Sequence, residues 1–203
     1  MLRTQIDICN RALNLVGALA ISSLDDESDE SVTSNVHFEE TLRSALTAPG
    51  GKPFRWSFAK TQRELTRLSA TPIARFAYAW QIDPDLLEIH AVLLNDSPIE
   101  FDRLDDMIYC NADAGVVAEG TFQPNESALS AAFVEALVLE LASKFAMSLK
   151  ENEGQSEYWA RLARDAWAGA RSADSQARSS RRLRANRLRA ARFGGPNYLS
   201  TWG

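Results

Sequence analysis

The sequence predicts an α+β fold: an antiparallel helical bundle of about four helices, a small antiparallel β domain inserted into it, and an extended basic C-terminal arm. Three observations predict it. Apolar residues recur at helical spacing on both sides of the middle of the chain, above all in residues 127–149, where Phe133, Leu137, Leu141, Phe145 and Leu149 repeat every fourth residue and Val134 and Val138 widen the row. Between Phe76 and Phe122 the period falls to two, and turn residues interrupt it every few positions. Beyond Gly169 the composition becomes ARSADSQARSSRRLRANRLRAARF, rich in arginine, with Leu183 and Leu188 nearly its only large apolar groups. The boundaries that follow are 1–53 and 123–172 for the bundle, 54–122 for the β insertion and 173–203 for the arm.

The first helix is expected over residues 4–16. Thr4 with Asp7 three residues on makes a capping box with the shorter acid, Ile8, Ala12, Leu15 and Leu19 form a stripe, and Gly17 supplies a stop. The acidic run Asp25-Asp26-Glu27-Ser28-Asp29-Glu30 leads into a second helix over 29–46, whose N-terminus carboxylates favour. A metal site is the competing reading of that run, but nothing nearby fixes a coordination geometry. Pro49-Gly50-Gly51-Lys52-Pro53 ends the helix. In the insertion, Phe76, Tyr78, Trp80 and Ile82 alternate with Arg75, Ala77, Ala79 and Gln81 as a half-buried strand. Residues 88–94, 99–102, 107–110 and 116–122 read as further short strands, an antiparallel meander or small sandwich. Asn125 is the expected cap of the third helix, and Asn152 and Gly154 its left-handed stop. Two glutamates and a lysine within 127–149 favour a buried core helix over a membrane span. Tyr158, Trp159, Leu162, Ala163, Ala166, Trp167 and Ala170 cover one side of a fourth helix.

At 203 residues, 45% hydrophobic and 24% charged, the chain is long and apolar enough to bury a core unaided. The opening MLRTQIDICN lacks the basic-then-apolar order of a signal peptide, so a cytoplasm is the expected compartment. Cys9 and Cys110 are too few for a disulfide framework and read as packed free thiols. The net charge of −5 hides a segregation: residues 1–160 hold 12 basic and 25 acidic side chains, whereas residues 161–203 hold 10 arginines against Asp165 and Asp174. Such an acidic body with a basic arm points the arm towards nucleic acid or an acidic protein surface. Alanine and arginine favour helix there, yet the arm lacks the apolar residues to anchor itself in a core. Its end carries Phe193, Tyr198, Leu199 and Trp202 among turn residues, the pattern of a segment that docks elsewhere.

Motifs for catalysis are missing. There is no G-x-S-x-G, H-E-x-x-H or complete phosphate-binding loop. Asn111-x-Asp113-x-Gly115 begins like a calcium loop, but Val116 and Phe122 stand where glycine and a bidentate glutamate belong. His37 and His90, with two distant cysteines, make no ligand pattern. The sequence therefore predicts no enzyme activity, no cofactor and no metal. Glu39 and Glu40, on an early helix, are the only carboxylates singled out for acid–base work, and exposed helix glutamates are far commoner than catalytic ones.

The segments Ile8-Cys9-Asn10-Arg11-Ala12-Leu13-Asn14-Leu15-Val16-Gly17 and Ile21-Ser22-Ser23-Leu24-Asp25-Asp26-Glu27-Ser28 resemble the opening of bacteriophage head-to-tail adaptor proteins, the tail tubular protein A-like connector family. Trp56-Ser57-Phe58-Ala59 is similar to that family's Trp-x-Phe-Ala segment entering the β region, and Tyr78-Ala79-Trp80-Gln81-Ile82-Asp83-Pro84-Asp85 to its strand exit. Phe133-Val134-Glu135-Ala136-Leu137 and Leu141-Ala142 resemble its third helix. The order of these pieces, over about residues 5–170, carries the resemblance. Pro49 to Arg55 departs from it as a longer connection, and Val32-Thr33-Ser34 replaces small apolar residues.

The resemblance implies a structural virion protein, assembled in the host cytoplasm. It would form a homo-oligomeric ring, commonly of twelve subunits, joining the portal protein to a tail or nozzle protein and lining the exit channel for double-stranded DNA, which it would meet non-specifically and away from any membrane. The family's C-terminal segment reaches between portal subunits, so Phe193, Tyr198, Leu199 and Trp202 become portal-docking anchors. Arg181, Arg182, Arg184, Arg187, Arg189 and Arg192 then meet acidic portal surface or DNA. The small side chains of the fourth helix would allow close approach of neighbouring subunits, making Ala163, Ala166, Trp167 and Ala170 the candidate ring interface. Two other classes compete. One is a nucleic-acid-binding regulator using the arginine-rich helix, without a recognisable reader module. The other is the peptidoglycan hydrolysis attributed to related connectors of short-tailed phages, which would use Glu39 or Glu40.

Overall fold

A computed structural model describes residues 4–69 and 75–177. Over these the chain is mixed α+β, with four helices and two small antiparallel sheets. The order is α1 (Gln5–Val16), α2 (Asp29–Thr47), eight strands, α3 (Ala131–Lys150) and α4 (Glu153–Ala177). The portal-docking and basic-arm residues named above, Arg181 to Trp202, lie outside the described residues.

Local chemistry sets the helix ends. Thr4 and Asp7 form the expected capping box: the Thr4 amide donates to Asp7 Oδ2 at 2.9 Å and the Asp7 amide to Thr4 Oγ1 at 3.2 Å. The Thr4 amide, and with it the Thr4 hydroxyl, donate to Asp7 Oδ2 and hold its carboxyl below the usual range. Gly17 closes α1 at φ 70°, left-handed backbone that costs glycine little. Between α1 and α2 the chain is clamped by Asn10, whose side-chain amide donates to Ile21 O at 2.9 Å and accepts from Ile21 N at 2.7 Å. Ser28 caps α2, with Asp29 and Glu30 in its first turn. Two expectations at α3 are corrected. Asn125 caps only a short 3-10 turn, and the cap of α3 itself is Ser130, which accepts from the Phe133 amide. The left-handed residue ending α3 is Glu151, at φ 47°, whereas Gly154 is already inside α4.

The strands form two four-stranded sheets. One has the order β1-β8-β4-β5, from β1 (Lys60–Glu64), β8 (Val116–Phe122), β4 (Leu86–Leu94) and β5 (Ser97–Pro98). The other has the order β2-β3-β7-β6, from β2 (Thr66–Arg67), β3 (Tyr78–Gln81), β7 (Met107–Cys110) and β6 (Phe101–Leu104). The chain changes sheet at Leu65, whose amide is held by Val116 O. Trp80, Ile108 and Cys110 from one sheet and Leu86, Val92, Val116 and Ala118 from the other share one core, as in a small sandwich. β1 and β2 were not expected: KTQRE is exposed almost throughout, so it carries no alternation to read. Asn95 and Asp96 both have positive φ, the geometry of the tightest hairpin turns, and join β4 to β5.

α3 is the hub of the second, larger core. Phe133, Val134, Ala136, Leu137, Val138, Leu141, Ala142, Phe145 and Ala146 are all buried, with α1, α2 and α4 packed around them. Consecutive residues of β4 serve both cores: Leu86 packs into the sandwich and Leu87 against the helical cluster.

Gly120 in β8 lies under the β4 backbone, where an added Cβ would come within 2.3 Å of Glu88 O. Replacing Gly120 by alanine should therefore force the two strands apart and cost about 1–3 kcal/mol in urea unfolding, whereas Gly169→Ala, facing open space, should not destabilise. Burial holds His37 and His90 below the ordinary imidazole value of 6.5, helped by Lys144 beside His37 and by Arg55 near His90. Both are thus neutral when folded and take up protons on unfolding. Above about pH 7.5 they contribute no pH dependence, and stability falls as the pH drops through 6.5 towards the folded values. Unfolding free energy measured between pH 7.5 and 5.5 should show that slope, and the double substitution of His37 and His90 by glutamine should flatten it.

Candidate functional site

Aromatic packing positions the far end of α4. Trp56, in the segment entering the β region, is fully buried, and its indole N–H donates to Ala45 O of α2 at 2.9 Å. Its ring meets Phe133 of α3 edge-on at 5.0 Å and Trp167 of α4 at 6.1 Å, while Phe54 and Phe58 pack on either side. Trp167 in turn donates to Glu140 Oε2 at 2.6 Å. One turn on, Arg171 donates to Pro49 O at 2.7 Å. Next, the buried Asp174 accepts from the Ser57 amide at 3.2 Å and from the Ser57 hydroxyl at 2.5 Å. The Arg171 and Asp174 bonds fasten α4 to the connection that follows α2, the second of them four residues before residue 178.

That packing redirects one expectation. Ala163, Trp167 and Ala170 are buried against the same chain, and Ala166 is half-buried, so these four are occupied within the subunit. They are the side chains α4 uses to cover α3, because a small-residue stripe suits intrachain helix packing as well as subunit packing. On the outer side of α4, Tyr158 is exposed and Arg161 lies 5.7 Å over its ring. The packed helix also runs through Asp174 to Ala177, past the boundary expected at residue 172.

Glu39 and Glu40 are exposed on the outer face of α2. They line a groove of about 770 Å³ between that face and β4, together with Val36, Arg43, Leu86, Leu87 and Arg103. Glu39 Oε2 accepts from Gln123 Nε2 at 3.2 Å. On the α2 side the groove is polar apart from Val36, while Leu86 and Leu87 supply its apolar side, and Arg43 and Arg103 add positive charge to the two glutamates.

The acidic run is absorbed by local structure. Asp26 accepts from the Ser22 hydroxyl and the Ser23 amide, both at 3.2 Å, Glu30 accepts from the Leu19 amide at 3.3 Å, and Asp29 sits in the first turn of α2. Among the described residues no three metal-ligating side chains gather, and no helix is long and apolar enough to cross a membrane. His37 bonds Ser148 and His90 bonds Thr121, at 3.0 and 2.8 Å. Cys9 and Cys110 are buried free thiols, and burial pushes the Cys9 thiol up to about 11, which leaves it protonated and unreactive at neutral pH.

Sequence reasoning missed Asp174 and Ser57. An aspartate among arginines near a helix end carries no periodic signal, and only the W-S-F-A resemblance drew attention to its partner. Neither protein-family models nor curated protein sequences yield a match to this chain.

Asp174→Ala should lower stability by about 1–3 kcal/mol through loss of buried, charge-assisted hydrogen bonds, with Asp174→Asn losing less. In a double-mutant cycle with Ser57→Ala, the combined loss measured by urea unfolding should fall short of the sum of the single losses.

Proposed function

We propose that the protein is a head-to-tail adaptor of a bacteriophage virion, a structural component whose copies form a ring between portal and tail and line the DNA exit channel. The observation that carries this reading is the separation of charge. Residues 4–69 and 75–177 hold 14 basic and 27 acidic side chains, while residues 178–203 hold seven arginines and no acid. An acidic wall repels the phosphates of passing DNA and keeps the duplex from adhering during ejection. A basic segment ending in Phe193, Tyr198, Leu199 and Trp202 suits an acidic, cleft-bearing partner such as a portal. The ordered sequence resemblance, from the Asn10 segment through Trp56 to the third helix, supports the same assignment, and with it an antiparallel arrangement of the helices and an extended arm.

The mechanism is binding. Each segment gives up conformational freedom on docking, so a single contact is of modest affinity. Repetition around a ring, twelvefold in the family it resembles, converts later contacts into local ones at high effective concentration and makes the joint firm. Portal protein, a tail or nozzle protein and non-specific duplex DNA are the partners; the reading needs no cofactor and no membrane.

Portal particles should retain the full-length protein in a pull-down. Removal of residues 193–203, or alanine at both Phe193 and Trp202, should abolish retention while leaving the circular dichroism and thermal midpoint unchanged. Undiminished retention of either variant would overturn the assignment of these residues as anchors.

A further inference from the structure

Among the described residues, the outer face of α2 is largely open, with Gln123 reaching only Glu39. Val32 and Val36 are 54% and 62% exposed, and at helical spacing they share that face with Asp29, Glu39, Glu40 and Arg43. The preceding loop is folded onto the same end of the helix: Ser31 Oγ donates to Ser23 O at 3.0 Å and Asn35 Nδ2 to Leu24 O at 2.6 Å. Those bonds bring the exposed Leu19, Asp25, Asp26 and Glu27 alongside. Across residues 18–47 there are seven carboxylates and one basic side chain, Arg43. Further along, the face becomes one wall of the groove completed by Leu86 and Leu87. It is thus an acidic helix face with apolar centres that opens into a groove, a surface shaped for a second helix.

The chain contains a segment of complementary chemistry, residues 178–192, with seven arginines, no acid, and Leu183 and Leu188 among alanines. Topology decides whose segment it is. α2 runs opposite to α3, because His37 meets Ser148 and Thr41 meets Lys144. α4 also runs opposite to α3, because Ser156 meets Ser143 and Trp167 meets Glu140. α4 therefore heads the same way as α2 and is tied at its far end to Pro49 and Ser57, just past the C-terminus of α2. A sequence of alanines and arginines favours prolonging α4 in that direction, and 15 residues of helix reach about 22 Å. The Asp29 end of α2 lies about 27 Å back the other way. A prolonged α4 moves away from its own acidic face and towards that of another molecule.

We propose that residues 178–192 of one copy lie along the outer face of α2 in the next copy, a head-to-tail contact that links neighbours in a ring. Its logic of charge and direction does not depend on the portal assignment. The contact is heterologous, joining two different surfaces, so it closes into a ring or continues as a filament according to the rotation between copies.

Photo-crosslinking on the full-length protein tests this. A benzophenone amino acid replaces Leu188, and equal amounts of isotopically heavy and light protein are mixed before irradiation at about 50 mM salt. Cross-links joining heavy and light copies, mapped to residues 29–43, are expected. Their yield should fall at least fivefold at 500 mM salt and equally in the exposed-face variant Val36→Arg/Glu40→Arg. Restoring charge pairing by adding Arg181→Glu and Arg184→Glu to that variant should recover the yield. Links confined to one isotope, links mapped elsewhere, or a yield indifferent to salt and to both variants would overturn the proposal. Portal retention in the pull-down is a separate readout, so failure of the subunit contact and failure of the adaptor reading are distinguishable.

Discussion

An α-helix apolar on nearly every side has to be covered on every side, and α3 imposes that requirement on the whole molecule. Covering Phe133, Leu137, Leu141 and Phe145 takes α1, α2 and α4 together. The remaining gap, around Phe133, is closed by Trp56 and Phe58 from the start of the β insertion and by Trp167. Each of these rings removes a large apolar surface from water, and truncating one of the fully buried tryptophans would cost several kcal/mol, of the order of 3–5. The insertion is for this reason part of the helical core at its root, even though it has a second core of its own.

What the sequence disclosed and what it withheld divide along physical lines. Periodic burial is legible, so α1, α2, α3, α4 and the strands with one buried face were all readable. β1 and β2 were not, because an edge strand exposed on both faces has no alternation and is specified by its partners, here β8 and β3. The caps of α3 were misread because Asn125 and Gly154 are good local candidates, and tertiary packing selected Ser130 and Glu151 instead. The stripe of small residues on α4 was visible, but spacing alone does not tell whether it packs inside the subunit or between subunits.

Charge and chemistry are divided unevenly along the chain. The packed body holds its histidines below the ordinary imidazole value and its thiols buried, and its carboxylates cap helices, face water or, at Glu140 and Asp174, tie α4 to the rest of the fold. After Ala177 the sequence changes character, with seven arginines, no acid and few apolar residues for a core of its own.

The adjacency of Leu86 and Leu87 has a mechanical consequence. A slip of β4 by a single residue would set one leucine in the other's place and bring Asp85 or Glu88 into the site left behind, so one of the two compartments would exchange its aliphatic plug for a carboxylate. The strand is therefore indexed by two independent sockets, like a key with teeth on both edges.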